Sequence, residues 1–177
     1  MSKQNSQRFY SGGKLLVSQF AIIPLPTARL LKPEFRTKVS PMKVEIETTV
    51  NAPLEKAWKA WTNPDSVTKW NFASEEWHCP KAESELREGG RFKYRMEAKD
   101  ASMGFDLEGT YTKISQFKTI EFELDDKRKV QVNFEEVTDG IRVKEVFEAE
   151  NTFSVEQQRT GWQSILDNYK KHVEETQ

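Results

Sequence analysis

From Val44 the chain alternates. Val44, Ile46, Thr48 and Val50 share one parity, and Glu45, Glu47 and Thr49 the other, the period of two of a half-buried strand. The period then lengthens. Leu54, Ala57, Trp58 and Trp61 stand three and four apart, which predicts a helix through Thr62, with Pro53 in its first turn and Asn51 or Ala52 near the cap. Asn63-Pro64 breaks it, and Asp65 to Trp70 reads as a second short helix capped by Asp65 or Asn63. Phe72 to Pro80 has no period and reads as a loop. Alternation returns in Lys81 to Arg87 and, after a turn at Glu88-Gly89-Gly90, in 92–98. It continues in 105–111, 120–124, 130–135 and 141–147, with turns at 99–104, 125–129 and the hairpin Thr138-Asp139-Gly140. The order is one strand, two helices, six strands and a long last helix.

That last segment, Ser154 to Glu175, organises the rest. Ser154 with Gln157 three residues on forms a capping-box pattern. Trp162, Ile165, Leu166, Tyr169 and Val173 then fall on one stripe, opposite Gln157, Asp167, Lys170, Lys171 and Glu174. A helix of roughly 20 residues is about 30 Å long and cannot bury so wide an aromatic stripe alone. The upstream strands must cover it, which predicts an α+β protein in which a curved antiparallel sheet of about seven strands wraps the C-terminal helix. Trp162 is expected to anchor that helix to the sheet.

Composition narrows the class. Apolar residues make up 36% of the 177 and charged residues 31%, an ordinary globular mixture. With one cysteine, Cys79, no intrachain disulfide can form. No apolar run approaches the roughly 18 residues that span a bilayer. A cytoplasmic protein without stable membrane association is expected. Net charge is −1, but it is unevenly spread. Residues 1–41 hold seven Lys/Arg and one acid, Glu34, which leaves 20 basic and 27 acidic residues in 42–177. An acidic domain repels phosphate backbones, so nucleic acid is not an expected partner.

The basic stretch 1–41 has three readings: an organelle transit peptide, a membrane-surface segment over Leu15–Pro26, or upstream sequence preceding a start at Met42. The third is favoured, because a clean strand begins just after Met42. In each, 1–41 is a disordered extension and 42–177 the domain.

Three stretches in combination, VEIETTVNAPLEKAWKAWTNPDSVTKW (44–70), LREGGRFKYRMEAKD (86–100) and QQRTGWQSILDNYKKHVE (157–174), resemble the START and Bet v 1-like (SRPBCC) superfamily. More narrowly, they resemble the branch related to the C-terminal domain of the activator of heat-shock protein 90 ATPase. The resemblance covers about residues 42–176. It implies a helix-grip fold around an apolar cavity, and it implies no particular reaction, since the superfamily includes lipid carriers, hormone receptors, cyclases and co-chaperone domains. The expected partner is a hydrophobic small molecule held between sheet and helix. The alternatives for the protein itself are a co-chaperone-like protein-binding domain, with a chaperone as partner and a place in the stress response, or a polyketide-cyclase-like enzyme using acid/base residues in the cavity.

Chemistry-bearing residues are few. There is no Gly-rich phosphate loop, no cysteine pair for zinc and no histidine pair at metal spacing, so neither cofactor nor metal is expected. His172 near the end of the last helix suits the helix dipole. His78 and Cys79 are neighbours, and neighbouring side chains rarely face each other as a nucleophile pair requires. Cys79 is therefore not assigned to catalysis, and His78 is either a structural loop residue or a polar contact at a pocket mouth. Trp58 and Trp61 read as core, while Trp70 and Trp77, beside the irregular segment, suit a cavity rim. Glu145 shares parity with Val143 and Phe147. Either it points inward, costly for a carboxylate and marking a functional candidate, or a β-bulge near it swaps the parity, the reading given more weight. Tyr94 and Met96, Phe105 and Tyr111, and Trp162 and Ile165 face the same interior, and Gly109, on the inward face between Leu107 and Tyr111, is expected to leave room. The expected ligand-binding set is thus Trp70, Trp77, His78, Tyr94, Met96, Phe105, Gly109, Tyr111, Glu145, Trp162 and Ile165.

Overall fold

The computed structural model describes residues 41–176; apart from Pro41, the segment expected to be an extension lies outside them. The elements are β1 (Lys43–Val50), α1 (Leu54–Thr62), α2 (Pro64–Trp70), β2 (Trp77–Ser84), β3 (Arg91–Ala98), β4 (Gly104–Ser115), β5 (Thr119–Leu124), β6 (Lys129–Val137), β7 (Gly140–Glu148) and α3 (Val155–Glu175). The seven strands form one curled antiparallel sheet in the order β1-β7-β6-β5-β4-β3-β2. β2 to β7 is a meander, and β1 pairs with β7, Val44 opposite Phe147 and Ile46 opposite Glu145. α1 and α2 carry the chain from one sheet edge to the other, and α3 returns across β1 and both short helices. This is the α+β helix-grip architecture. No helix among the described residues is long and apolar enough to cross a membrane.

Local chemistry sets the helix ends. The Ser154 hydroxyl accepts from the Gln157 N–H at 3.2 Å, and the Ser154 N–H donates to Gln157 Oε1 at 3.1 Å, so the capping box is complete. Asn63 caps α2: its Oδ1 accepts from the N–H groups of Asp65 and Ser66 at 2.8 and 3.4 Å, and Pro64, which lacks an N–H, follows at the first helical position. α1 has Pro53 itself at the N-cap, without a side-chain cap. The Lys56 and Ala57 N–H groups donate to its carbonyl at 3.0 and 3.1 Å.

The clearest departure from the sequence pattern is β2. It begins at Trp77, inside the expected loop, and ends at Ser84 rather than Arg87. Its register against β3 slips between His78 and Lys81. That irregularity lies at a sheet edge and contains Pro80, which has no N–H to give to a ladder. The slip erases the alternation by which a strand is recognised.

One end of the interior is closed. Val50 and Val143 from the sheet and Leu166, Tyr169 and Val173 from α3 are essentially inaccessible. Trp58 meets Phe117 and Phe134 edge-on at 5.6 and 5.2 Å, and Trp61 and Trp70 meet Tyr169 at 5.0 and 5.2 Å. The polar tips are satisfied: Tyr169 Oη donates to the Ala57 carbonyl at 2.7 Å and Trp70 Nε1 to the Ala60 carbonyl at 3.0 Å. Aromatic residues seated in this way fill space and bind the helices together.

Candidate functional site

Toward the first half of α3 the interior does not close. A cavity of about 860 Å³ opens between helix and sheet. Phe92, Tyr94 and Met96 on β3 and Phe105, Leu107 and Tyr111 on β4 form its floor, because residues two apart in a strand share a face. Trp162 and Ile165 roof it, Trp61, Trp70 and Asn71 close the side of the short helices, and Trp77 contributes from β2. Part of its border comes from the β5–β6 turn and from Ala149–Phe153, the connection between β7 and α3.

That connection is held by Gln158, a buried polar residue on the inward side of α3. Its Oε1 accepts from the Glu150 N–H at 2.9 Å, and its Nε2 donates to the carbonyls of Glu150 and Phe153 at 3.1 and 2.9 Å. Glu150 in turn accepts from the Phe153 N–H at 2.6 Å and from the Thr152 N–H, which holds its carboxyl below the usual range despite desolvation.

Two polar features stand inside. A hydroxyl chain crosses the floor: Ser84 and Tyr111 share a hydrogen bond of 2.9 Å, and Tyr111 and Tyr94 one of 3.3 Å. Burial, reinforced by Tyr111, pushes the Tyr94 hydroxyl far above its ordinary range, so it acts as a neutral donor or acceptor. The second feature is Glu145. β7 pairs without interruption on both sides, Glu145 opposite Ile46 on β1 and Val132 on β6. The bulge given more weight from sequence is absent at this position, and Glu145 points inward. It is 6% exposed and lines the cavity. No described residue forms a hydrogen bond or ion pair with its carboxyl, and burial raises its pKa to about 8. Asn71 is equally buried, lines the cavity and has no side-chain hydrogen bond among the described residues.

The structure brings Trp70, Trp77, Tyr94, Met96, Phe105, Tyr111, Glu145, Trp162 and Ile165 to one cavity and leaves two expected members out of it. His78 sits on the outer face of β2, its side chain 41% exposed and its Nε2 3.7 Å from Glu97 Oε2. Between Trp77 and Cys79, both inward, it must face solvent. Gly109 leaves no room. A Cβ there would lie 2.7 Å from two atoms of the Phe92 ring and from the Glu123 carbonyl, so Phe92 already occupies the space. Sequence reasoning missed Asn71 and Phe122, while Trp61, read as core, does pack on Tyr169 and also borders the cavity. The parity of Phe122 with Ile120 and Leu124 was the available signal, whereas nothing in the sequence marks Asn71.

Covalent chemistry at Cys79 has no support. Burial raises its thiol to about 11, so it stays protonated, and His78 lies on the other face of the sheet. His172 is in the last turn of α3, but burial, with Lys56 and Lys69 nearby, lowers its pKa, which weakens the expected dipole role. Among the described residues no group of three or more His, Cys, Asp or Glu side chains could hold a metal ion.

A family profile described as activator of Hsp90 ATPase homolog 1-like protein matches residues 51–174. The chain belongs to this family. An AHSA1-like protein from Aeromonas hydrophila, known from a solution structure, is 43% identical over 75% of this chain and 92% of its own, with a TM-score of 0.72. A Cytophaga hutchinsonii protein is 42% identical over the same shares, with a TM-score of 0.66. The Chromobacterium violaceum protein CV1439, at 19% identity over 77% of this chain and all of its own and a TM-score of 0.67, shares the fold. No protein with a curated description matches the chain. Family and fold together support a ligand-binding or co-chaperone-like domain.

Proposed function

We propose that the protein binds a hydrophobic small molecule in the cavity between the sheet and α3. The cavity carries this reading: at about 860 Å³ it falls within the roughly 300–1,000 Å³ of small-molecule sites, and like them it has apolar and aromatic walls with a few polar groups. A cytoplasmic location belongs to the same proposal, resting on the single, unpaired cysteine.

The co-chaperone reading rests on the family description and needs a surface. The outer face of β3 and β4 offers charges that already satisfy one another: Lys93 holds Asp106 and Glu108 at 2.7 and 2.9 Å, and Arg95 holds Glu97 at 2.7 Å. Among the described residues, the exposed large apolar side chains are Met42, Leu86 and Met103. These features favour the cavity over the surface. An acid/base enzyme needs a second positioned group beside Glu145, and the deeply buried Tyr94 hydroxyl holds its proton.

The neutral dye Nile red tests the proposal by fluorescence titration. We expect one-to-one binding with micromolar affinity. Leu107→Trp, filling the cavity from β4, should weaken it by about tenfold or more, as loss of most of a shared apolar surface would, with little change in melting temperature. A wild-type protein that leaves the dye dark, or a Leu107→Trp variant that binds it equally well, would refute the proposal.

A further inference from the structure

Glu145 is the one acid projecting from the inner face of β7, flanked by Val143 and Phe147 and facing Ile46 and Val132 across the ladders. Nothing in the packing explains it. A buried carboxyl without a partner is destabilising compared with an apolar side chain of the same size, and no described residue supplies the partner. The basic side chains along the cavity are Lys127 and Arg128. Lys127 pairs with Glu123 at 3.1 Å and Arg128 with Asp126 at 2.8 Å. The cavity thus offers a carboxyl and aromatic walls but no unpaired cation among the described residues. Trp162 lies flat against Phe147, two residues along the strand from Glu145, with ring centroids 4.2 Å apart at 14°, and the rest of it lines the cavity. A cation gains from such surroundings twice, through charge-assisted hydrogen bonds to a carboxylate and through the negative faces of aromatic rings. The excess of acids over bases in 42–177 draws cations toward it.

We propose that the cavity takes an amphipathic amine, its ammonium head against Glu145 and the aromatic walls and its apolar body along the floor of β3 and β4. This rests on the cavity being a ligand site and adds the chemistry of the ligand's head. At neutral pH the empty site holds Glu145 mostly as the acid, since burial sets its pKa near 8. An incoming ammonium ion pairs with the carboxylate, so the carboxyl proton leaves to solvent while the amine keeps its own. Of the other titratable groups along the cavity, Tyr94 and Tyr111 sit on the opposite side of the sheet order from β7. Asp126, Lys127, Arg128, Glu148 and Glu150 belong to the β5–β6 turn and to the end of β7 and the connection beyond it. Ile46 and Val132, which flank Glu145 across the strands, do not titrate.

Three probes with one naphthalene body separate the possibilities: 2-(1-naphthyl)ethylamine, 2-(1-naphthyl)ethanol and 1-naphthylacetate, titrated calorimetrically into the full chain at pH 7. The amine should bind about tenfold or more tighter than the alcohol, the margin a charge-assisted contact supplies, and the acetate should bind most weakly. Across buffers of different ionisation enthalpy, amine binding should release close to one proton and alcohol binding none. Glu145→Gln should erase the preference for the amine while still binding the alcohol. If that variant does not fold, the ranking of the three probes by the wild-type protein decides alone. Alcohol binding as tight as amine binding, or an amine preference that survives in Glu145→Gln, would overturn the amine inference and leave the ligand cavity standing. If none of the three binds, both fall.

Discussion

The two halves of α3 rest on the same sheet but cover different interiors. In the second half Leu166, Tyr169 and Val173 are sealed, the Tyr169 ring is braced by Trp61 and Trp70, and its hydroxyl is held by the Ala57 carbonyl. In the first half Trp162 and Ile165, on the same stripe, are half-buried and roof a cavity. The difference lies in what stands opposite. The second half faces α1 and α2, whose indole rings reach it. The first half faces β3, β4 and β5, whose rings pack on one another instead, Phe92 lying 5.0 Å from Tyr94, 5.3 Å from Tyr111 and 5.1 Å from Phe122. One helix face thus does two jobs, and stability and binding should separate along its length.

The largest effect is expected in the sealed half. Tyr169→Ala should cost about 4 kcal/mol, as large-to-small changes of buried aromatics do, a substantial share of a usual stability of about 5–15 kcal/mol. A urea midpoint that barely moves would erase the distinction between the halves.

Next comes Glu145. Its folded pKa, about 8, lies above the ordinary 4.5. The folded protein therefore binds a proton that the unfolded chain releases. The stability this contributes is complete below pH 4.5 and is lost as pH rises through 8. Wild type should lose ground to Glu145→Gln between pH 5 and pH 9, by on the order of 3 kcal/mol, because each tenfold difference in proton affinity between the folded and unfolded chain is worth about 1.4 kcal/mol. Parallel urea-midpoint profiles for the two proteins would show that the carboxyl is not desolvated.

Gly109→Leu sharpens the boundary between packed and open interior. Phe92 fills the place where the new side chain would go, so overpacking should cost about 2 kcal/mol. Unchanged thermal stability with loss of dye binding would mean that Gly109 borders open space after all.

The smallest effect is expected for Trp162→Ala. The change removes the stack on Phe147 but enlarges a space that is already open, so about 1–2 kcal/mol should be lost, less than a sealed aromatic costs. A loss matching that of Tyr169→Ala would place Trp162 in the closed core, as its stripe position suggested.

Much of this architecture was readable residue by residue. The alternation of Val44, Ile46 and Val50 placed β1, Ser154 with Gln157 placed the start of α3, and Asn63-Pro64 separated the two short helices. Of the cavity's lining residues, Tyr94, Met96, Phe105, Tyr111, Trp162 and Ile165 followed from strand and helix parity, Trp70 and Trp77 from their place beside the irregular segment, and Glu145 only on the less favoured of two readings. His78 did not, because the slip beside Pro80 hid the strand that turns it outward. Gly109 did not, because a missing side chain says nothing about which neighbour takes its place.

Sequence by itself therefore determined the elements and their order, apart from the start of β2, and the side most residues of the regular strands and of α3 present, since periods, caps and turns depend on neighbours within a few positions. Only the tertiary structure decided where the interior is full and where it is hollow. That depends on rings far apart in the chain: Trp61 and Trp70 reaching Tyr169, and Phe92 lying over Gly109. It also decided that Glu145 stands without a protein partner among the described residues, because a buried carboxyl is paired or left alone by side chains from other elements, and those positions follow from how the whole sheet curls around the helix.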